Sequence, residues 1–447
     1  MFAKCGPARR TVAVGLSVLL TSCGGAKTNQ PKILAGFIGG MAADEPRAVL
    51  AAQQILAIGG NAADAAVTLG FMLSVTLPSR ASLGAGGACV AYQPGGSAPN
   101  KGVPEAIMFT PVAPSQSVGD RPAAVPMLAR GLYLLSARYG TRSFDSLVRP
   151  AEEAARGGFS VSRALANDLA QVGGPLAADP AAAAVFAPGG AALTEGGNLV
   201  QPALAATLSQ IRTVGVGDMY GGLLAHKLVE ATAAAGGGVS LTDLRDAKPS
   251  LAPALTVAAG KDQVAFLPGP ADGGIGAAAA LPILLQNPGD TQQAALAALD
   301  AVAHARGAAG LPALPASTSF VVVDRKGGAV ACALTMDNLF GTGRIAPGTG
   351  IVLAASPRSK PMPMLAAGIA WNGNDSAFHA AVAASGQNDA ALADAVGMQR
   401  ALAGATPGEV PGTGRTNAAF CTGYLPDSPA SCRFATDPRD AGLATGN

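Results

Sequence analysis

The stretch around residue 317 constrains the fold more than any other part of the sequence. Residues 308–316 are rich in glycine, alanine and proline, and they run directly into two β-prone segments, 320–324 and 329–335. Apolar, β-branched runs on either side of a glycine turn favour a β-hairpin. A loop therefore feeds into a hairpin whose first residues are Ser317 and Thr318, and we expect the chemistry of this protein at that junction.

The remaining pattern predicts a mixed α and β protein. Apolar residues recur at helical spacing in several segments, whereas 88–92 and 261–267 have the character of buried strands. The predicted helices are 46–58, 62–77, 128–139, 144–156, 161–172, 203–214, 223–235 and 277–285. Hydrophobic residues make up 49% of the chain but aromatic residues only 4%, so the core must be built mainly from aliphatic side chains.

Composition excludes several classes of function. The chain has 30 basic and 28 acidic residues and lacks a basic run that could neutralise phosphates, so nucleic acid is not an expected partner. The glycine-rich stretch 83–87 is not followed by Gly-Lys-Ser/Thr and lacks dinucleotide-motif spacing, which excludes both nucleotide-binding loops. The three histidines have no ligand spacing. We therefore expect neither a metal nor another cofactor.

The first residues have the pattern of an export signal. Lys4, Arg9 and Arg10 form a positive region, and residues 11–20 form an apolar one. That apolar stretch is roughly ten residues long, whereas a membrane-spanning helix needs about 20. The sequence Leu-Thr-Ser-Cys that ends at Cys23 then fits a lipobox. In a lipobox, a signal peptidase cuts before the cysteine, and the cysteine thiol carries the lipid.

This pattern predicts a lipoprotein signal peptide over 1–22, a lipid on Cys23 and a tether over 23–35. The alternative is an ordinary signal peptide with a chance cysteine. Gly24, in place of an acidic residue, favours the outer membrane, so the expected location is periplasmic. Contact with the membrane would then be through the lipid anchor only.

Export places the other cysteines in an oxidising compartment. Cys421 and Cys432 lie close together in a tail rich in glycine and proline, which favours a disulfide between them. Cys89 and Cys332 each lie in an apolar, strand-like run. For these two we expect buried free thiols.

Several motifs occur in a fixed order along the chain. The hairpin opens with Ser-Thr-Ser-Phe-Val-Val-Val-Asp at 317–324, and Phe-Gly-Thr-Gly follows at 340–343 and Pro-Gly-Thr-Gly-Ile at 347–351. Further matches are Gly-Gly-Asn-Ala-Ala-Asp-Ala-Ala-Val at 59–67 and the Asp-Pro-Arg element at 437–439. This ordered set resembles the gamma-glutamyltransferase family of N-terminal-nucleophile hydrolases, and it spans residues 36 to 447.

The resemblance implies an α+β fold, a four-layer αββα sandwich, and autocatalytic cleavage before Ser317. Residues 36–316 would form a large subunit and 317–447 a small one, and the two fragments would stay associated. Ser317 would be the nucleophile, and its new α-amino group, with a reference pKa of about 7.7–8.0, would be the base. The family threonine that orients the nucleophile matches Thr335, and the oxyanion site falls at Gly386. Without the ordered motifs, Ser317 would be interpreted as an ordinary strand-opening serine.

The same resemblance gives Thr110, Asp337 and Ser359 as substrate-binding positions. The family has an arginine at Thr110 to hold the substrate α-carboxylate, and an acidic pair in the stretch that here is 354–359, which contains no acid. Its usual histidine two residues after the nucleophile is Ser319. Loss of such charge-assisted contacts weakens binding. A free γ-glutamyl group is therefore a doubtful substrate.

Two functions follow from these observations. The first is an amidohydrolase or acyltransferase that forms an acyl-enzyme on Ser317 from a small amide or peptide, with a γ-glutamyl-like or another acyl group. The second is a catalytically silent, lipid-anchored relative that acts as a binding or scaffold protein. Ser317 and Thr335 favour the first function, and the missing clamp residues favour the second.

Overall fold

The structure is a computed structural model of the whole chain. It describes residues 1–2, 34–95, 102–116, 118–307, 316–359, 361–410, 412–439 and 441–446. The chain divides into two units, 1–32 and 33–447. Only Met1 and Phe2 of the first unit are described. The predicted signal peptide, Cys23 and most of the tether therefore lie outside the described residues, as do residues 308–315 of the loop before Ser317.

The second unit contains both β-strands and α-helices. The strands are β1 (Gly39–Ala43), β2 (Gly86–Tyr92), β3 (Glu105–Phe109), β4 (Phe159–Ser160), β5 (Asn198–Leu199), β6 (Ser250–Pro253), β7 (Leu255–Ala259), β8 (Asp262–Phe266), β9 (Ser317–Asp324), β10 (Ala329–Thr335), β11 (Ile345–Ala346), β12 (Ile351–Val352), β13 (Ala366–Asn372), β14 (Phe378–Ser385), β15 (Arg415–Leu425), β16 (Cys432–Thr436) and β17 (Leu443–Gly446). The predicted hairpin and both predicted strands are present.

Eight helices agree with the predicted segments to within a few residues, and five further helices, α6, α8, α10, α12 and α13, were not predicted. The helices are α1 (Pro46–Ala57), α2 (Ala62–Thr76), α3 (Leu128–Tyr139), α4 (Phe144–Gly157), α5 (Arg163–Ala177), α6 (Pro180–Phe186), α7 (Pro202–Val214), α8 (Asp218–Gly221), α9 (Leu223–Ala234), α10 (Leu241–Asp246), α11 (Gly273–Gln286), α12 (Thr291–Arg306) and α13 (Ala390–Leu402). None of the described helices is long and apolar enough to cross a bilayer.

Two antiparallel sheets form the centre of the fold. The first has the strand order β17-β1-β9-β10-β2-β3-β6, and the second has the order β16-β15-β14-β13-β8-β7. The sheets face each other across a core cluster made mostly of small residues from both, including Val321, Ala331 and Ala333 of the first sheet and Ala367 and Ala383 of the second. Small side chains allow the two sheets to approach closely.

Helices cover the outer face of each sheet. Because side chains alternate along a strand, Phe320 and Val322 of β9 point away from Val321 and pack with helices α1 to α4 in a second cluster. Helices α11, α12 and α13 cover the other sheet through a third cluster, which includes Leu281 and Val382. The result is the four-layer αββα sandwich, an α+β fold, that the resemblance predicts.

The start of α2 shows how local sequence fixes an element beside the hairpin. The Asn61 side chain accepts a hydrogen bond from Asp64 N at 2.9 Å, and the Asp64 side chain accepts one from Asn61 N at 3.0 Å. This reciprocal arrangement is a capping box. The next amide, Ala62 N, donates to Asp324 at the end of β9 at 3.0 Å. The helix start is thereby tied to the strand that begins at Ser317.

Candidate active site

The peptide bond between Ala316 and Ser317 lies at the very start of β9. Ser317 is opposite Thr335, the last residue of β10, in the antiparallel register. Ser317 is only 2% exposed and Thr335 is fully buried. Side chains alternate along a strand, and Ser317 and Thr335 are each an even number of residues from Val321 and Ala333, which fill the space between the sheets. Both side chains therefore lie on that inner face.

The carbonyl oxygen of Ala316 accepts two hydrogen bonds. The Thr335 hydroxyl donates to it at 2.9 Å, and the backbone N–H of Met336 donates at 3.1 Å. Two donors on one amide oxygen draw electrons from the carbonyl carbon and stabilise negative charge that develops on the oxygen. The carbonyl before Ser317 therefore has the two converging donors that an oxyanion site requires.

The Ser317 hydroxyl oxygen is buried and has no hydrogen-bond partner among the described residues. Most buried polar atoms in proteins are bonded, so an exception of this kind requires an explanation. An ordinary strand-opening serine would be expected to bond to a neighbouring carbonyl. This oxygen is instead free to approach an electrophilic carbon, and the nearest activated one in sequence is the Ala316 carbonyl carbon.

Thr335 also links the junction to Asp337. Its hydroxyl oxygen accepts a hydrogen bond from Asp337 N at 2.9 Å. Asp337 has a left-handed φ of +59°, and within the described part of the chain neither carboxyl oxygen has a hydrogen-bond partner. Burial raises the pKa of Asp337 well above its usual value, and the positive charge of Arg306 partly opposes this shift. Asp337 is thus a buried acid held two residues after Thr335, the residue that faces Ser317.

Arg306 lies in the last turn of α12 and forms an ion pair with Asp272. Its Nη2 donates to an Asp272 carboxyl oxygen at 2.8 Å, and its Nε donates to the other oxygen. The pair lines a cavity of about 300 Å³ together with Ile275, Pro357 and Met362. Arg306 also partly opposes the rise in the pKa of Asp337, so one wall of this cavity carries a charge that acts on that buried acid.

Gly386, the predicted oxyanion residue, has an evident structural role. Its φ is +111°, and a Cβ atom there would lie 2.2 Å from the carbonyl oxygen of Thr413. The Gly386 carbonyl accepts a hydrogen bond from the Thr413 hydroxyl at 2.8 Å. In the described chain no hydrogen bond connects Gly386 with Ser317. Its assignment to the oxyanion site therefore remains a prediction.

The predicted substrate-binding positions are only partly brought together. Asp337 is joined to the junction through Thr335, as described above. Thr110 follows β3 and is half-buried, and the Ser359 hydroxyl donates to Ser356 O at 2.9 Å within its own turn. Arg358 donates to the backbone oxygen of Ser115 at 3.2 Å. Hydrogen bonds in the described residues do not link Thr110, Ser359 or Arg358 to Ser317.

Sequence reasoning missed three groups at this site. They are the N–H of Met336, the Arg306–Asp272 pair, and a buried Asp44 whose carboxylate contacts Thr318 and Ser319. A backbone donor has no sequence signature. The two acids belong to segments far from Ser317 in sequence, so only the fold shows that they are neighbours of the hairpin and of the cavity.

The cysteines differ in part from expectation. The structure bonds Cys421 to Cys432, the predicted pair. It also bonds Cys89 to Cys332, so the expectation of free thiols at these positions was wrong. These two residues face each other in the register of β2 and β10. Neighbouring antiparallel strands bring their sulfur atoms together although 243 residues separate them in sequence.

A second polar cluster lies away from the hairpin junction. His379 Nδ1 lies 2.8 Å from one Asp262 carboxyl oxygen, and the Tyr424 hydroxyl donates to the other at 2.9 Å. No group of three or more His, Cys, Asp or Glu side chains among the residues that the structure describes could hold a metal ion. The cluster thus ties β8, β14 and β15 together at one end of the second sheet.

Sequence comparison identifies relatives over much of the chain. The model of the gamma-glutamyltranspeptidase family matches residues 48–308, more than half of the chain, and ends before Ser317. The chain is 33% identical over 235 residues to acylase ACY 1 proenzyme of Pseudomonas sp. (strain SE83), covering 48% of this chain and 42% of that protein. It is 28% identical over 369 residues to glutathione hydrolase proenzyme of Escherichia coli (strain K12), covering 67% and 63%. The chain thus spans about half the length of these two relatives.

Solved structures show the same fold. Cephalosporin acylase from Bacillus halodurans superimposes with a TM-score of 0.72 at 17% identity, covering 93% of this chain and 97% of that one. Gamma-glutamyltranspeptidase from Helicobacter pylori gives a TM-score of 0.53 at 24% identity, covering 64% and 86%. The sandwich is therefore the N-terminal-nucleophile hydrolase fold. The chain belongs to the gamma-glutamyltranspeptidase family, a family of amidohydrolases and acyl transferases.

Proposed function

We propose that this chain is an N-terminal-nucleophile amidohydrolase or acyltransferase that activates itself by cleavage before Ser317. The Ser317 hydroxyl oxygen attacks the Ala316 carbonyl carbon, and the C–N bond between the two residues breaks. The departing nitrogen takes up the proton and becomes the α-amino group of Ser317, while Ala316 is left as an ester on the serine oxygen. Water then hydrolyses that ester, which yields a free hydroxyl and the Ala316 carboxylate.

One observation carries this proposal: the Ala316 oxygen accepts hydrogen bonds from both Thr335 and Met336 N–H, at 2.9 and 3.1 Å. An ordinary peptide carbonyl at the start of a strand needs only one donor. Two donors become more favourable as the oxygen gains charge, and stabilisation that grows toward the transition state is what accelerates a reaction. The unpartnered Ser317 hydroxyl supplies the attacking group next to this carbonyl.

The processed protein would use the same atoms on a substrate. The free α-amine of Ser317 has a reference pKa of about 7.7–8.0, so a useful fraction is neutral near pH 7 and can take the hydroxyl proton. The substrate carbonyl takes the place of Ala316, with its oxygen at the two donors. The serine oxygen forms an acyl-enzyme as the amine leaves with that proton, and water or an acceptor amine then releases the acyl group.

The substrate we infer is an amide whose acyl group lacks the charged amino-acid end of γ-glutamate. Thr110 cannot form the charge-assisted pair with a carboxylate that an arginine would form, and the stretch 354–359 has no acid to hold an amine. In the cavity that Arg306 and Asp272 line, these two charges neutralise each other, and the rest of the lining is largely apolar. The similarity to an acylase proenzyme agrees with such a substrate.

A catalytically silent binding or scaffold protein gains no support from the relatives described above, which are named as hydrolases, acylases and transpeptidases. The difference between the two functions can be measured directly. The purified protein is reduced, and its intact mass is recorded over time at neutral pH. We expect two fragments, one ending at Ala316 and one beginning at Ser317.

The controls separate chemistry from folding. Ser317→Ala should remain a single chain, whereas Ser74→Ala should cleave like the wild type, since Ser74 is also a buried serine but lies in helix α2 and bonds to Phe71 O. Hydrolysis of butyryl-p-nitroanilide should then exceed that of γ-glutamyl-p-nitroanilide. A wild-type chain that stays whole, with a native circular dichroism spectrum, would contradict the proposal and favour the silent function.

We also propose that the protein is exported and anchored through a lipid on Cys23, on the outer membrane and facing the periplasm. The basis is the lipobox and the short apolar region of residues 11–20. Cells grown with a radiolabelled fatty acid should incorporate label into the wild type, and Cys23→Ser should lose it. Label retained in Cys23→Ser would refute lipidation at this residue.

A further inference from the structure

The first residues of β9 have a neighbouring strand on one side only. β10 pairs with the whole of β9, so that Thr335 faces Ser317. On the other side β1 ends early, because Ala43 is opposite Phe320 and is the last residue of that strand. Residues 317–319 therefore lie beyond the backbone ladder between β1 and β9.

The side chain of Asp44 occupies the place where that ladder stops. One of its carboxyl oxygens accepts hydrogen bonds from the Thr318 hydroxyl at 2.7 Å and from Ser319 N at 3.3 Å. The other oxygen accepts one from the Asn417 side-chain amide at 2.6 Å. Asp44 is 1% exposed and Asn417 is fully buried, so water does not compete for these bonds.

Asn417 extends this polar group across the space between the two sheets. Its side-chain nitrogen also lies 3.0 Å from both the backbone oxygen and the hydroxyl oxygen of Ser319, so its two N–H groups are shared among three acceptors. The Ser319 hydroxyl in turn donates to Ala383 O at 3.1 Å. Asn417 belongs to β15 and Ala383 to β14, so the two residues after Ser317 are bonded to both sheets. We call Asp44 and Asn417 the Asp44–Asn417 clamp.

We propose that the Asp44–Asn417 clamp consists of positioning residues that hold Ser317 in place once cleavage has made it a chain terminus. This inference rests on the proposed function. A terminal residue frays unless it is tied down, and a reacting group must be held close to its productive geometry. After cleavage the link to Ala316 is gone, and Ser317 keeps only its strand partner Thr335. The bonds to Thr318 and Ser319 then prevent the nucleophile from leaving the inner face.

The alternative is that these buried residues only stabilise the fold. Matched variants distinguish this structural role from a positioning role. Thr318→Val removes one hydroxyl bond to Asp44 without a change of shape, and Thr318→Ser restores that bond. Thr68→Val is the control, since Thr68 is equally buried and its hydroxyl donates to Leu147 O at 3.0 Å in the helical layer. Asp44→Asn is a second variant, which removes the charge that these donors share.

The measurements are amide hydrogen exchange at residues 318–320 of the processed protein, and its kcat and KM for butyryl-p-nitroanilide. We expect Thr318→Val and Asp44→Asn to cleave into the same fragments as the wild type and to exchange faster at these amides. Their kcat should fall by about tenfold or more with KM little changed, because misplacement of a nucleophile affects the chemical step. Thr318→Ser should recover most of the loss. Thr68→Val should match the wild type in all of these readouts.

The outcomes that overturn the inference are distinct from failure of the proposed function. If the wild type cleaves and Thr318→Val and Asp44→Asn match it in exchange and kcat, the clamp does not position Ser317. If Thr68→Val loses as much kcat as Thr318→Val, the effect is general destabilisation, and the inference also fails. If the wild type never cleaves, the proposed function fails, and the clamp has no terminus to hold.

Discussion

Removal of the Thr335 hydroxyl tests the two-donor site at Ala316 most directly. Thr335→Val keeps the branched shape of a buried strand residue but deletes the donor that lies 2.9 Å from Ala316 O. The Met336 N–H remains at 3.1 Å. Loss of one oxyanion donor slows acyl transfer by about 10²–10³-fold, or about 2.7–4 kcal/mol. Because one donor stays in place, we expect the lower end, a reduction of about 100-fold in the rate of cleavage.

Thr335→Val also lowers the stability of the fold, and substitution of a second threonine, Thr349, serves as the control for that effect. The Thr335 hydroxyl accepts from Asp337 N, and an amide left without its acceptor costs about 1–3 kcal/mol of unfolding free energy. Thr349 has the same pattern, since its hydroxyl donates to Ala346 O at 2.8 Å and accepts from Ile351 N at 3.1 Å. Thr349→Val should lose a similar amount of stability and cleave at the wild-type rate.

The assay is a time course of fragment formation after in vitro translation, followed on reducing gels. Thr335→Ser keeps the hydroxyl and should cleave within a few-fold of the wild type. Cleavage of Thr335→Val at the wild-type rate would refute the role of the hydroxyl donor. Equal slowing of Thr335→Val and Thr349→Val would show that the effect comes from destabilisation of the fold and not from the carbonyl of Ala316.

Three other predictions concern the disulfide, a buried acid and a strained glycine. After cleavage, Cys89 and Cys332 belong to different fragments, so on denaturing gels the wild type should run as one band without reductant and as two bands with it. Cys332→Ala should give two bands in both gels. Two wild-type bands without reductant would contradict the disulfide. Burial raises the pKa of Asp394, whose carboxyl oxygens have no hydrogen-bond partner in the described chain. The folded state therefore keeps the Asp394 proton to higher pH than the unfolded state does. The stability that this protonation contributes is lost as pH rises above about 4. Asp394→Asn should therefore be more stable than the wild type at pH 8, with the difference shrinking below pH 4 in urea titrations, and a pH-independent difference would refute this. Gly386→Ala should lower the melting temperature in a Ser317→Ala background, since its Cβ would meet Thr413 O, and an unchanged melting temperature would show that the loop relaxes at no cost.

The parts of the fold that could be predicted are those that depend on neighbours in sequence. The start of helix α2 is indicated by Asn61 and Asp64, three residues apart, and these residues form a capping box in the structure. The hairpin of β9 and β10 follows from two apolar runs around a glycine turn, and its first residue is Ser317 as expected. Helix α12 was missed because its alanines and polar residues give only a weak apolar stripe.

The contacts that could not be predicted join distant segments. The free-thiol expectation for Cys89 and Cys332 failed because each cysteine was judged by its own strand, whereas their distance is set by the register between β2 and β10. Asp44 looks like a polar residue before a helix, and only the early end of β1 places it beside Thr318. The resemblance supplied Ser317 and Thr335, but the second donor, Met336 N–H, is backbone and depends on how the chain leaves β10.

The strand order explains how one peptide bond could break without separating the two parts of the chain. In the first sheet β17, β9 and β10 come from residues 317–447, whereas β1, β2, β3 and β6 come from 36–316. Backbone ladders therefore cross between the parts at β17–β1, β1–β9 and β10–β2, and in the second sheet at β13–β8. Without the large part, β9 and β10 would be a two-stranded hairpin with both edges free, which is marginal in water and prone to pair with other chains. If the chain cleaves as proposed, folding must therefore come first, because the intact fold is what places the Ala316 carbonyl against its two donors.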